Sequence, residues 1–156
     1  MKALMMCFGL IVSFVLFIPN CIGVLGSTER WYVEKYKDVS PETSASAGQT
    51  KRIRCKTSSY EDVEKIVVEL RGGFAIKEIW YLKNCEDTAA IAKRIVGQEI
   101  VPSLKWEKVN DKENPDVLYR RKDGAEIEKR LQPGPPGPYS RPRCRVILRI
   151  KGIEAD

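Results

Sequence analysis

The sequence predicts an α+β fold in which a helix packs on an antiparallel sheet and one disulfide ties the domain together. Two stretches lead there. The run Arg143-Cys144-Arg145-Val146-Ile147-Leu148-Arg149-Ile150-Lys151 alternates: Cys144, Val146, Leu148 and Ile150 share one side of an extended chain, and Arg143, Arg145, Arg149 and Lys151 share the other, interrupted only by Ile147. That is the period of a half-buried strand with a basic outer face. Lys51-Arg52-Ile53-Arg54-Cys55-Lys56 repeats the scheme, with Ile53 and Cys55 opposite Arg52, Arg54 and Lys56.

The chain opens with Lys2 and an apolar run from Ala3 to Ile18, followed by small residues at Gly23 and Gly26 and the polar Ser27-Thr28-Glu29-Arg30. Residues 1–26 have the form of a secretory signal peptide, so a secreted protein without a stable membrane anchor is expected. About 130 residues then remain, enough for one domain and too few for two ordinary ones. Residues 27–50 are expected to form an N-terminal hairpin or loop segment. Trp31, Tyr32, Val33 and Tyr36 suit a short strand, and the stretch from Ser40 to Gln49 is small and polar. Residues 51–156 are the domain proper.

After the 51–56 strand, Ser58 or Ser59 is placed to cap a helix, with Glu61 and Asp62 in capping-box positions. Tyr60, Val63, Ile66, Val67 and Leu70 recur at helical spacing, and Gly72-Gly73 supplies a stop. Ala75 to Lys83 is rich in β-branched and aromatic residues and reads as a strand buried on its Ile76, Trp80 and Leu82 side. Asn84 or Asp87 then caps a second helix with Ile91, Ala92, Ile95 and Val96 as its apolar stripe. Residues 103–109 and 116–122 read as an antiparallel pair across the polar turn 110–115. Ala125 to Leu131 fits either a helical turn or a strand. The stretch from Gln132 to Tyr139 carries Pro133, Pro135, Pro136 and Pro138, which cannot donate to a ladder. It reads as an extended surface loop, with a polyproline ligand as the alternative.

Of five cysteines, Cys7 and Cys21 fall in the signal segment, leaving Cys55, Cys85 and Cys144. An odd number implies one pair and a leftover thiol, or a bridge to another chain. The favoured pairing is Cys55–Cys144, because both lie on the inward side of a strand; closing a loop of about 90 residues would stabilise by roughly 4 kcal/mol. Cys85, in the first turn of the second helix, is then an ordinary thiol, a partner for another chain, or a reactive one. No Asn-x-Ser/Thr sequon is present.

The chain has no histidine. Ser-His-Asp and Cys-His nucleophilic catalysis, histidine acid–base chemistry and His-containing zinc sites are therefore excluded for this polypeptide. No phosphate-cradling glycine motif, CxxC or acidic calcium loop is found, and no cofactor, metal or small-molecule substrate is expected. Without Lys2 the chain holds 26 basic and 21 acidic residues, a net charge of +5. The cations cluster on the two alternating strands. Arg52, Arg54, Lys56, Arg143, Arg145 and Arg149, with Tyr119, Arg120 and Arg121, make a candidate surface for RNA or another polyanion, guanidinium groups holding phosphates and the ring stacking on a base. The plainer alternative is a solvated charged face or a surface for a protein partner.

In this arrangement the chain resembles the small secreted ribonuclease-like effectors of powdery mildew fungi, which act inside plant host cells. The matching pieces are Ile53-Arg54-Cys55 where that family opens its domain with aromatic-x-Cys, the expected helix from about Tyr60, the strands between Ile76 and Lys122, and Cys144 near the end. Ile53 in place of the aromatic, and the extra Cys85, depart from the pattern. The resemblance implies a helix on a curved antiparallel sheet, similar to microbial guanyl-specific ribonucleases, with the late cysteine bridged to the first. It also implies a non-catalytic protein that binds host RNA or a host protein to interfere with immunity, and that a plant immune receptor recognises. The alternatives are a secreted enzyme working with carboxylates and arginine, such as a divergent ribonuclease or glycan-active protein, and a toxin-like interaction module.

Overall fold

The computed structural model describes residues 25–36, 38–42, 50–57, 60–98, 104–110, 112–134 and 142–150. The expected signal segment up to residue 24, most of the 40–49 loop, the candidate caps Ser58 and Ser59, and most of the proline-rich loop lie outside them. The elements in chain order are α1 (Glu29–Tyr36), β1 (Val39–Pro41), β2 (Thr50–Cys55), β3 (Val63–Arg71), β4 (Phe74–Leu82), a 3-10 turn (Cys85–Asp87), α2 (Thr88–Gly97), β5 (Trp106–Lys108), β6 (Val117–Arg121), β7 (Ala125–Gln132) and β8 (Arg143–Ile150). The α+β class holds. The expected N-terminal hairpin is instead a two-turn helix followed by a three-residue edge strand.

All eight strands form one sheet in the order β1-β2-β3-β4-β8-β7-β6-β5, every neighbouring pair antiparallel. Two four-stranded meanders therefore meet at β4 and β8, and α2 lies on the connection between them. On the inner face Ile53, Ile66, Val68, Leu70, Trp80, Leu82, Ile127, Val146 and Leu148 join Tyr32 of α1 and Ile91, Ala92 and Ile95 of α2 in one core. The alternation expected for β2 and β8 is observed, and α2 buries the stripe that its sequence predicts.

The helix expected from Tyr60 to Leu70 is instead strand β3. The helical spacing of Val63 and Ile66 comes from a bulge: the register shifts between Val63 and Lys65, so Val63 pairs with Leu82 and Ile66 with Trp80, and both side chains face inward three residues apart. Val67 is buried because the opposite face carries a second apolar cluster of Val67, Ile79 and Ile147, one each from β3, β4 and β8. Ile147, which breaks the basic alternation of β8, is the end of this row. Gly72 and Gly73 do not stop a helix; with φ of 59° and 85° they form the tight turn between β3 and β4, where a two-residue hairpin needs positive φ at both positions.

The disulfide is Cys85–Cys144, with Cα atoms 5.1 Å apart, and Cys55 is a free, fully buried thiol. The expected Cys55–Cys144 pairing is thus corrected. Both cysteines do point inward, but β2 and β8 are separated by β3 and β4. Three strand spacings place them about 14 Å apart, twice the reach of a disulfide. The actual bridge pins the 3-10 turn ahead of α2 to the start of β8, the strand against which that helix packs.

Candidate functional site

The outer face of the sheet is built of cross-strand rows fixed by the register. One row runs Arg52, Glu69, Lys77, Arg149, Glu126 and Arg120 across β2, β3, β4, β8, β7 and β6. The next contains Val67, Ile79, Ile147 and Glu128, and the third Lys65, Tyr81, Arg145 and Arg130. Cations and carboxylates thus meet as direct cross-strand neighbours, the geometry in which such pairs stabilise a sheet.

The carboxylates are buried and the cations lie over them. Glu69, 1% exposed, takes Arg52 Nη2 at 2.7 Å and Lys77 Nζ at 3.5 Å. Glu126 takes Arg120 Nε at 3.0 Å, and Glu128 takes Arg149 Nε and, at 3.3 Å, Arg130 Nε. Five cations therefore share three carboxylates. At the β3–β4–β8 end, Lys65 Nζ and the Arg145 guanidinium lie 4.6 and 4.7 Å from the Tyr81 ring centre, and Arg145 also donates to Gln132 Oε1.

Each residue of the sequence-derived candidate surface can now be placed. Arg52 and Arg54 are on the outer face but tied down, Arg54 to Glu42 at 3.1 Å; Lys56 pairs with Asp38 at 2.9 Å near the β1 edge. Arg143, Arg145 and Arg149 share the outer face of β8, with Arg143 exposed. The triplet Tyr119-Arg120-Arg121 is split. Alternation along β6 points Tyr119 and Arg121 inward and Arg120 outward; Tyr119 stands opposite Ile127, where it packs on the core. Arg121 is 4% exposed, forked onto Asp123 at 2.8 and 2.6 Å and stacked 4.9 Å from the Trp106 ring. Only Arg120 of the three reaches the outer face.

Arg120, Arg130 and Arg149, from three adjacent strands, converge on an open cleft of about 540 Å³. Its floor carries Glu126 and Glu128, and the turn Glu113 to Asp116 forms one wall. Glu126, Glu128 and Arg130 were not singled out from sequence, although Glu-x-Glu-x-Arg on alternate positions of Ala125 to Leu131 is the period-two signal that would have done so. Arg120 and Arg130 engage their carboxylates through Nε, so their Nη groups extend beyond the ion pair. Their side chains are 46% and 57% exposed. Such guanidinium groups, held in place from below, keep donors for an incoming anion. Among the described residues no cluster of His, Cys, Asp and Glu could hold a metal ion, and no helix is long and apolar enough to cross a membrane.

The inner face contains a different polar group. Glu78 is 0% exposed, accepting hydrogen bonds from Tyr32 Oη and, at 2.8 Å, from Trp80 Nε1. Burial pushes its carboxyl up to about 7, against the opposing pull of those two hydrogen bonds and of the Lys35 charge. Burial likewise pushes the Cys55 thiol up to about 12, which leaves it protonated and inert as a nucleophile.

No protein-family model, curated protein or solved structure matches this chain.

Proposed function

We propose that the chain is a secreted, non-catalytic binding protein that holds a phosphate-bearing host ligand, RNA foremost, in the Arg120–Arg130–Arg149 cleft. In this reading it acts as the ribonuclease-like effectors of powdery mildew fungi do, by occupying a host molecule to interfere with immunity, and a plant immune receptor recognises it. The observation that carries the proposal is the convergence of three guanidinium groups from neighbouring strands on one open cleft, two of them half-exposed above buried carboxylates. Arg143 and Arg145 on the same face of β8 extend the cationic track past the cleft. A non-catalytic role agrees with the lack of histidine to serve as general acid.

The ribonuclease likeness enters this proposal through an antiparallel sheet with helices on one face and a late cysteine in a disulfide. The helix after the first cysteine, and its bridge to the last strand, are not features of this chain. A protein partner is the second reading, favoured by Glu113 and Asp116 on the cleft wall, which repel a polyanion and suit the cations or hydrogen-bond donors of a protein surface.

The test is binding of a labelled single-stranded RNA by the Arg120→Glu/Arg130→Glu variant, with Lys83→Glu/Lys93→Glu, at two exposed positions away from the cleft, as the control of equal charge change. Loss of two charge-assisted contacts should weaken binding by about tenfold or more, while the control stays within about twofold of the parent protein. Equal weakening in both variants, or none in either, moves the ligand away from the cleft.

A further inference from the structure

Glu78 is placed where a charge is least welcome. It projects from central strand β4 between Val68 on β3 and Leu148 on β8, and α1 closes over it with the fully buried Tyr32. The outer-face cleft makes no use of it.

The groups facing it from each packed element are few. From α1 come Tyr32, Lys35 and Tyr36, from β2 Cys55, and from the segment before β3 Tyr60. Burial holds both α1 tyrosines and the Cys55 thiol in their neutral forms through the neutral pH range. The Lys35 charge favours ionisation of the carboxyl, as the least of the influences on it, while its Nζ donates to Gln98 Oε1 at 2.8 Å and lies 4.4 Å from the centre of the Trp31 ring. Gln98 in turn donates to Tyr60 Oη at 3.0 Å, so the far end of α1 is held by the Lys35 hydrogen bond and its cation–ring contacts.

We infer that Glu78 and Tyr32 form a proton-controlled latch on α1, which keeps the helix docked while Glu78 is protonated and releases it as the proton leaves and the buried carboxylate draws in water. A carboxyl docked at about 7 and solvated at its ordinary 4.5 binds its proton more tightly in the docked state. The stabilisation is therefore full below about pH 4.5 and is lost as pH rises through about 7. Between pH 5 and pH 8 the ratio of undocked to docked helix rises roughly seventyfold. Release uncovers the Trp80 and Cys55 side of the core and leaves the cleft on the opposite face. With no histidine in the chain, side-chain proton uptake in this window is assigned to Glu78.

The experiment is amide hydrogen exchange of the full, disulfide-intact chain from pH 5 to pH 8, corrected for intrinsic exchange chemistry, in the wild type and Glu78→Gln. The latch predicts that protection of the α1 amides falls by tens-fold relative to β3, β4 and β8 in the wild type and stays flat in the variant. Constant α1 protection in the wild type, or a variant that keeps the wild-type pH profile, overturns it. If Glu78→Gln does not fold, a carbon NMR titration of the wild-type Glu78 carboxyl decides. A midpoint above about 6 supports the latch, and one below about 6 overturns it.

Discussion

Removal of the Cys85–Cys144 bridge is the perturbation whose magnitude follows most directly from the structure. The bridge closes a loop with a sequence separation of 59, spanning α2 and all of β5, β6 and β7. In the chain-entropy model a closure of that length stabilises by about 4 kcal/mol at room temperature, because the unfolded chain is relieved of conformations that folding would otherwise remove. Little of this is regained in the folded state, since Cys144 is 7% exposed and packs within the core. Urea unfolding of the Cys85→Ala/Cys144→Ala variant, followed by circular dichroism and by fluorescence, should show the midpoint falling by about 2–3 M, given a slope near 1.5–2 kcal/mol/M. Cys55→Ala removes a buried thiol but no cross-link, so it should leave the disulfide intact in non-reducing peptide maps. A shift of less than about 0.5 M in the double variant, or a mapped Cys55–Cys144 peptide, would refute the reasoning.

Three further outcomes are expected. Trp80→Ala empties the site beneath α1, where the ring is fully buried, stacks edge-on with Tyr60 and donates to Glu78, and should cost about 3–5 kcal/mol in denaturant unfolding. Arg121→Ala removes a buried guanidinium from the exposed Asp123 carboxylate and leaves Trp106 without its stacking partner, and should cost about 1–2 kcal/mol by the same assay. Hydrogen bonds from Arg121 hold the Asp123 carboxyl below its ordinary range, so its contribution is present above about pH 4 and lost as pH falls through the lowered value. That acid-side loss should shrink in Arg121→Ala. Thermal melts should show the opposite slope for Glu78, with wild-type stability falling by about 2–3 kcal/mol from pH 5 to pH 8 and Glu78→Gln nearly flat, a parallel decline in both proteins contradicting the assignment.

β4 was legible from its β-branched and aromatic content although a bulge at Ile76 shifts its register, and local periodicity carried β2, β8 and α2, because each keeps one face buried without interruption. It failed where a bulge changes the parity of a strand. In β3 the extra residue between Val63 and Lys65 copies helical spacing. In β6 plain alternation puts Tyr119 and Arg121 on the face opposite Arg120, so the three consecutive residues do not share one surface. The inward direction of Cys55 and Cys144 was legible, but pairing depends on strand order, which alternation does not encode. The cationic face was legible as composition. Its carboxylate partners were not, since Glu69, Glu126 and Glu128 meet their arginines only through the cross-strand register. Glu78 stands on an inward position of an otherwise apolar strand, and its significance depends on Tyr32, 46 residues away in sequence.

The central claim is that the cleft binds phosphate without processing it. Fluorescence anisotropy of an end-labelled single-stranded RNA with oxidised protein at two salt concentrations, followed by electrophoresis of the recovered RNA, tests it most directly. The account predicts intact RNA and binding that weakens as salt rises, with a log-log slope of about −2 if three phosphates are neutralised. Shortened RNA that accumulates with protein and time, or no binding at the lower salt concentration, would contradict it.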